Sequence, residues 1–263
     1  MSDPLGVLLT VAYDGQEFAG WAPQRDERTV HGVVIEAARA MDPSIATIRG
    51  ASRTDAGVHA RGQLVAFDPQ RQIPPRGWVL GMNAHLPHDV AIRRARLVPR
   101  GFEPRASRAG KRYRYVVLRD AIRDPAIDRC AWRIDDAIDL EAARAEAREM
   151  LGTHDFRAFR SSQDPRTDTV RTIMRVELCE GLFGDARLLG IEVEGTAFMH
   201  NMVRIIAGTL MDVGRKHLRS GAVARAFASG KRDDLGMTAP ANGLVLDEVR
   251  VDLPPALEGE SWP

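Results

Sequence analysis

The stretch TVHGVVIEAARAMDPSIATIRGASRTDAGVHARGQLVAF (Thr29–Phe67) decides the fold. Thr29 offers an N-cap, and Val30, Val33, Val34, Ala37 and Met41 recur at helical spacing behind it. Ala46–Gly50 then reads as a short strand and Gln63–Phe67 as a second, so the stretch is helix, strand, strand. Working outward, Leu8–Tyr13 (LLTVAY) is a strand before it, Pro75–Met82 a helix after it and Val90–Leu97 a further strand. The order is β-α-β-β-α-β.

A polar, proline-marked stretch (Pro99–Gly110) follows, and the same order starts again. Arg112–Leu118 (RYRYVVL) is a strand of strong β formers, Asp139–Leu151 a helix, and Val170–Cys179 and Arg187–Glu194 two strands around a Gly-containing turn. Helices at Phe198–Val213 and Gly221–Ala228 precede a last strand, Leu244–Val251. The reading is an α+β chain of two ferredoxin-like halves, 1–105 and 106–263, as in RNA-recognition domains that present a sheet to bases. Set side by side they would form an extended mixed or antiparallel sheet with a central cleft. The halves share element order but no letter-level repeat, and the topology alone carries no function.

Composition narrows the classes. With 263 residues, 44% of them apolar, the chain can build a real core. No apolar run approaches the roughly 18 to 20 residues a bilayer span needs, and no basic region precedes the short apolar segment near the N-terminus, so a cytoplasmic protein is expected. Cys130 and Cys179 have no metal or redox spacing and read as ordinary thiols. Net charge is only +1, yet all but three of the 37 basic residues are arginine. Guanidinium suits phosphate contact and base stacking, although codon bias alone also produces such a ratio.

The chemistry concentrates in RTDAGVH (Arg53–His59), between two predicted strands. An Asp two residues from an Arg can be held ionised by it, and Gly57 permits a tight bend. Such an anion suits work at a sugar C1′, where cleavage of a glycosidic bond builds positive character. A surface turn with an incidental ion pair has the same letters, and spacing does not separate the two.

GASRTDAGVHARGQLVAF (Gly50–Phe67) resembles the signature of the TruA-type tRNA pseudouridine synthases. Further stretches fall in that family's order: YDGQEFAGW (Tyr13–Trp21), NAHLP (Asn83–Pro87), KRYRY (Lys111–Tyr115), HDFRAFR (His154–Arg160), AFMHNMVR (Ala197–Arg204) and GLVL (Gly243–Leu246). The resemblance implies that Asp55 is the catalytic carboxylate. It implies that Arg53 helps displace the target base, that Tyr113 packs against the uracil, and that Arg204 pairs with the Asp. It also implies conversion of uridine to pseudouridine in the tRNA anticodon stem-loop, at positions 38 to 40, by a homodimer with no cofactor and no metal. The base leaves the stack, its C1′–N1 bond is cleaved, the uracil turns, and C5 joins C1′. No water is consumed, so one carboxylate suffices where glycoside hydrolysis uses two. Attack by Asp55 on C1′ and a glycal route both remain open at this stage.

RRAR (Arg93–Arg96), KRYR (Lys111–Arg114) and GRKHLR (Gly214–Arg219) are candidate phosphate contacts, with alternate arginines of the first expected on opposite strand faces. His85, His88 and Asp89 lack a second ligand cluster and are rejected as a metal site. His59 is expected to support Asp55, Tyr115 to be structural, and Met199, Met202 and Met211 to be helix core. Ala22-Pro23, His31 and Glu103 depart from the usual family pattern at positions that bear on tRNA choice. The rival readings are a non-catalytic RNA-binding protein, which would tolerate loss of Asp55, and a nucleoside hydrolase or phosphatase, which would release uracil or phosphate.

Overall fold

The computed structural model describes residues 5–106, 108–161, 167–253 and 261–262. Parts of the N-terminal reading (residues 1–4) and of the proline-marked stretch (residue 107) lie outside the described residues. The elements run β1 (Leu5–Tyr13), α1 (Val30–Met41), β2 (Arg49–Gly50), β3 (His59–Phe67), α2 (Pro75–His85), β4 (Val90–Pro99), β5 (Arg108–Arg119), β6 (Trp132–Ile134), α3 (Leu140–Glu149) and β7 (Gly152–Asp155). They continue β8 (Val170–Glu180), β9 (Leu188–Gly195), α4 (Met202–Gly214), α5 (Ala222–Ser229), β10 (Leu244–Val251) and β11 (Ser261–Trp262). The class is α+β. The chain forms two compact units, Met1–Ala109 with Leu246–Pro263, and Gly110–Val245. The last stretch, grouped with the second half in the sequence reading, clusters with the first unit.

In the first unit β1 pairs antiparallel with both β3 and β4, and β2 pairs antiparallel with β3. Alternation puts Val7, Leu9, Val11 and Tyr13 of β1 on one buried face. Phe67 of β3 meets Trp78 of α2 edge to face, ring centres 5.1 Å apart, and both rings are fully buried. α1 starts where the sequence placed it: the Thr29 side chain accepts a hydrogen bond from the Gly32 N–H at 3.2 Å.

Asp42, just after α1, is the polar anchor of this unit. Its buried carboxylate accepts N–H groups of Ser44 (3.0 Å), Gln70 (2.8 Å) and Arg71 (2.8 Å). Burial opposes the charged form, but these N–H donors and the Ser44 hydroxyl outweigh it and hold the carboxyl at about 2, against an ordinary 3.8. Because the folded value is depressed, the stabilisation is complete above the unfolded pKa and is lost as pH falls through about 2. The shift corresponds to about 2 kcal/mol. Asp42→Asn should therefore be less stable than wild type in urea near neutral pH, with the gap closing between about pH 4 and about pH 2. A gap independent of pH in that window would refute the assignment.

In the second unit the order is β5-β9-β8-β7, each neighbouring pair antiparallel, with β6 parallel to β5. β6 and β7, of three and four residues, were not expected from the sequence. α4 buries every residue except Arg204 and Asp212, as a core helix does. The buried Glu146 of α3 accepts the N–H of Val223 at 2.9 Å and that of Gly221, so α3 caps α5. Met199, Met202 and Met211 lie in the core as expected. Among the described residues no helix is long and apolar enough to cross a membrane.

Candidate active site

Asp55 lies in the loop between β2 and β3, half-buried, with Arg53 exposed on one side and Thr54 buried between them. The base of the loop is clamped by the fully buried Gln63 amide, which accepts the Ser52 N–H (3.1 Å) and donates to the Ser52 carbonyl (2.7 Å). Its crown is held by the segment Tyr13–Trp21. The Tyr13 and Thr54 hydroxyls share a buried hydrogen bond of 2.7 Å. The Trp21 N–H donates to the Thr54 carbonyl (3.0 Å), and the Gly57 N–H to the Phe18 carbonyl (3.4 Å). Gly57 bends the chain at φ +76°, a conformation that favours glycine. His59 is buried, its Nδ1 accepting the Gly15 N–H at 3.2 Å and lying 3.2 Å from an Asp14 oxygen. These contacts tie the start of β3 to the segment after β1.

YDGQEFAGW and RTDAGVH, read separately in the sequence, are thus one structural piece. Their contacts join residues about forty positions apart, so no local pattern could have revealed them.

The second unit carries the other candidates. Tyr113, on β5 opposite Val193, is buried and meets Phe198 edge to face at 5.3 Å. Tyr115 is two residues on, and its hydroxyl donates to the Pro240 carbonyl at 2.8 Å. Burial pushes its phenol pKa up, with Arg204 opposing. The hydroxyl thus ties β5 to the segment around Pro240. Arg204 sits in the first turn of α4. Its Nε donates to the Ala239 carbonyl (2.7 Å) and its Nη1 to the Asn201 Oδ1 (2.8 Å). The segment Gly236–Pro240, which the sequence reading passed over, lies along α4 as a strap. Its Gly236, Met237 and Ala239 N–H groups donate to Thr209 Oγ1, Asp212 Oδ2 and the Arg204 carbonyl.

Two expectations about the basic clusters need correction. Arg94 pairs with Thr10 and Ile92 with Val11, so Arg93 is the extra residue of a β-bulge, and Arg93 and Arg94 are both exposed rather than alternating. In KRYR, Lys111 is buried and Arg114 is bound to Glu192 at 3.0 Å, so that cluster is not a free phosphate-binding set. In GRKHLR, Arg215 is bonded to Asp136, while Lys216 and Arg219 are exposed. The Asp89 carboxylate grips Arg28 through both oxygens (2.8 and 3.0 Å). Of the departures, His31 stands edge-on to Trp21 at 6.0 Å, its imidazole pKa lowered by burial, and Glu103 accepts the Arg105 N–H at 3.2 Å. Ala22 is half-buried and Pro23 exposed.

The family model described as tRNA pseudouridine synthase matches residues 9–105 and 147–252. The chain is 40% identical over 244 residues to tRNA pseudouridine synthase A of Citrifermentans bemidjiense, covering 92% of this chain and 96% of the relative. It is 41% identical over 249 residues to tRNA pseudouridine synthase A of Myxococcus xanthus, covering 94% and 93%. A solved archaeal box H/ACA sRNP Nop10-Cbf5 complex aligns with 79% of this chain and 44% of that chain, at 14% identity and a TM-score of 0.35, too low to carry an argument. With most of its length matched at this identity, the chain belongs to the tRNA pseudouridine synthase family and is an isomerase.

Proposed function

We propose that this protein isomerises uridine to pseudouridine in the anticodon stem-loop of tRNA, at positions 38 to 40, with Asp55 as the catalytic carboxylate. The observation that carries the reading is the pinned loop. Backbone and hydroxyl contacts at Ser52, Thr54 and Gly57 fix the chain on both sides of Asp55. The Asp55 carboxylate is therefore presented from a rigid support, as a group acting at one sugar carbon must be.

Arg53, exposed beside Asp55, is assigned to displacing the base, with phosphate contacts from surface arginines such as Arg93 and Arg94. Tyr113 is assigned to packing against the uracil, and Arg204 to holding the Asp ionised. Cleavage of C1′–N1 and formation of C5–C1′ leave the base with a hydrogen on N1 in exchange for the one lost from C5, so no water or redox partner is needed. The reading takes the protein as a cytoplasmic homodimer whose two-fold surface carries the RNA, and each half as ferredoxin-like. Support for the first half comes from its order β1-α1-β2-β3-α2-β4 and its antiparallel pairs β1/β3, β1/β4 and β2/β3.

The test is site-resolved pseudouridine mapping on unmodified tRNA transcripts incubated with the purified protein. Conversion confined to positions 38 to 40 is the expected result. Conversion elsewhere would reject the proposed target, and tRNA binding without any pseudouridine would favour the RNA-binding rival.

A further inference from the structure

Four non-glycine residues among those described have positive φ: Asp26, Phe183, Asn201 and Lys216. Asn201 is the one that hydrogen-bonds to a candidate site residue. It immediately precedes α4 at φ 61°, ψ 1°, the left-handed region, where an L side chain is disfavoured and Asn is among the better tolerated. Asn is also a strong N-cap residue, yet here its side chain makes no capping bond. Its Oδ1 instead accepts from Arg204 Nη1 at 2.8 Å. With Nε held on the Ala239 carbonyl at 2.7 Å, the planar guanidinium is fixed at two of its three nitrogens. The chain thus accepts a disfavoured backbone and forgoes a helix cap in order to orient one side chain. An unfavourable conformation kept beside a candidate site points to a role in that site.

We infer that Asn201 is a positioning residue for the isomerisation, acting through Arg204 rather than on the RNA. The inference rests on the reading that Arg204 holds the Asp55 carboxylate ionised. The sequence alone conceals it, because the helix expected at Phe198–Val213 places Asn201 inside the element, whereas α4 starts only at Met202.

The test is Asn201→Gly in the full-length protein, with kcat, KM for tRNA and the urea midpoint measured together. Glycine adopts the left-handed conformation without a Cβ clash, at an entropic cost on folding, and removes the Arg204 partner. The expected result is a modestly lowered urea midpoint with the fold retained, kcat lower by about ten- to a hundredfold, the loss of one charge-assisted hydrogen bond, and KM changed by less than about threefold. A variant partly unfolded under the assay conditions would make Asn201 merely structural, and a wild-type kcat would overturn the inference outright. Arg204→Gln separates the two claims, since wild-type kcat in that variant would refute the reading of Arg204 itself. The double variant should be no slower than Arg204→Gln alone if Asn201 acts only through Arg204, and additive losses would overturn that route.

Discussion

Asp55→Asn should lose pseudouridine formation by about a thousandfold or more, about 4 kcal/mol of barrier, while tRNA binding changes by less than about threefold. The substitution keeps the shape of the side chain and removes its charge. Supports of the loop include Ser52 on Gln63, Thr54 on Tyr13 and Trp21, and Gly57 on Phe18. These bonds do not use the Asp55 carboxylate and should persist in the variant. RNA affinity is expected to rest on phosphate contacts made by arginines elsewhere, and its steep salt dependence should survive. Single-turnover mapping and a binding titration over a range of salt concentrations check the two halves of the expectation. A variant that retains the wild-type rate would remove Asp55 from the chemistry. One that loses rate, binding and thermal stability together would make it a folding residue.

Gly208→Ala should destabilise the protein by about 3 kcal/mol, although helix propensity by itself favours the change by about 1 kcal/mol. Gly208 lies in the middle of α4, where alanine is the better helix former. A Cβ there would stand 1.8 Å from the Met237 carbonyl oxygen and 2.8 Å from its carbon. Both belong to backbone, which cannot rotate aside as a long side chain would, so the strap Gly236–Pro240 has to leave the helix. Contact therefore wins over propensity. The strap also supplies the Ala239 carbonyl to Arg204 and the Pro240 carbonyl to Tyr115, so the loss of stability should come with a loss of kcat. Urea denaturation together with kcat at low temperature measures both. A variant as stable as wild type would mean that the strap does not bear on α4 as described.

The sequence by itself determined the order of the longer elements and their buried faces, and through its resemblance to a known family it singled out RTDAGVH as the candidate loop. The elements were legible because their signals are local: Thr29 capping α1 and the apolar spacing behind it depend on neighbours within a few positions. Strands as short as β6 and β7 escaped because so few residues establish no period. The bulge at Arg93 escaped because it depends on the register with β1. The rest was decided by tertiary structure. Which residues hold Asp55 in place, why Asn201 forgoes its cap and which carbonyl orients Arg204 depend on contacts that join Tyr13 to Thr54 and Ala239 to Arg204. Such hydrogen bonds join groups distant along the chain, and only packing brings them within reach.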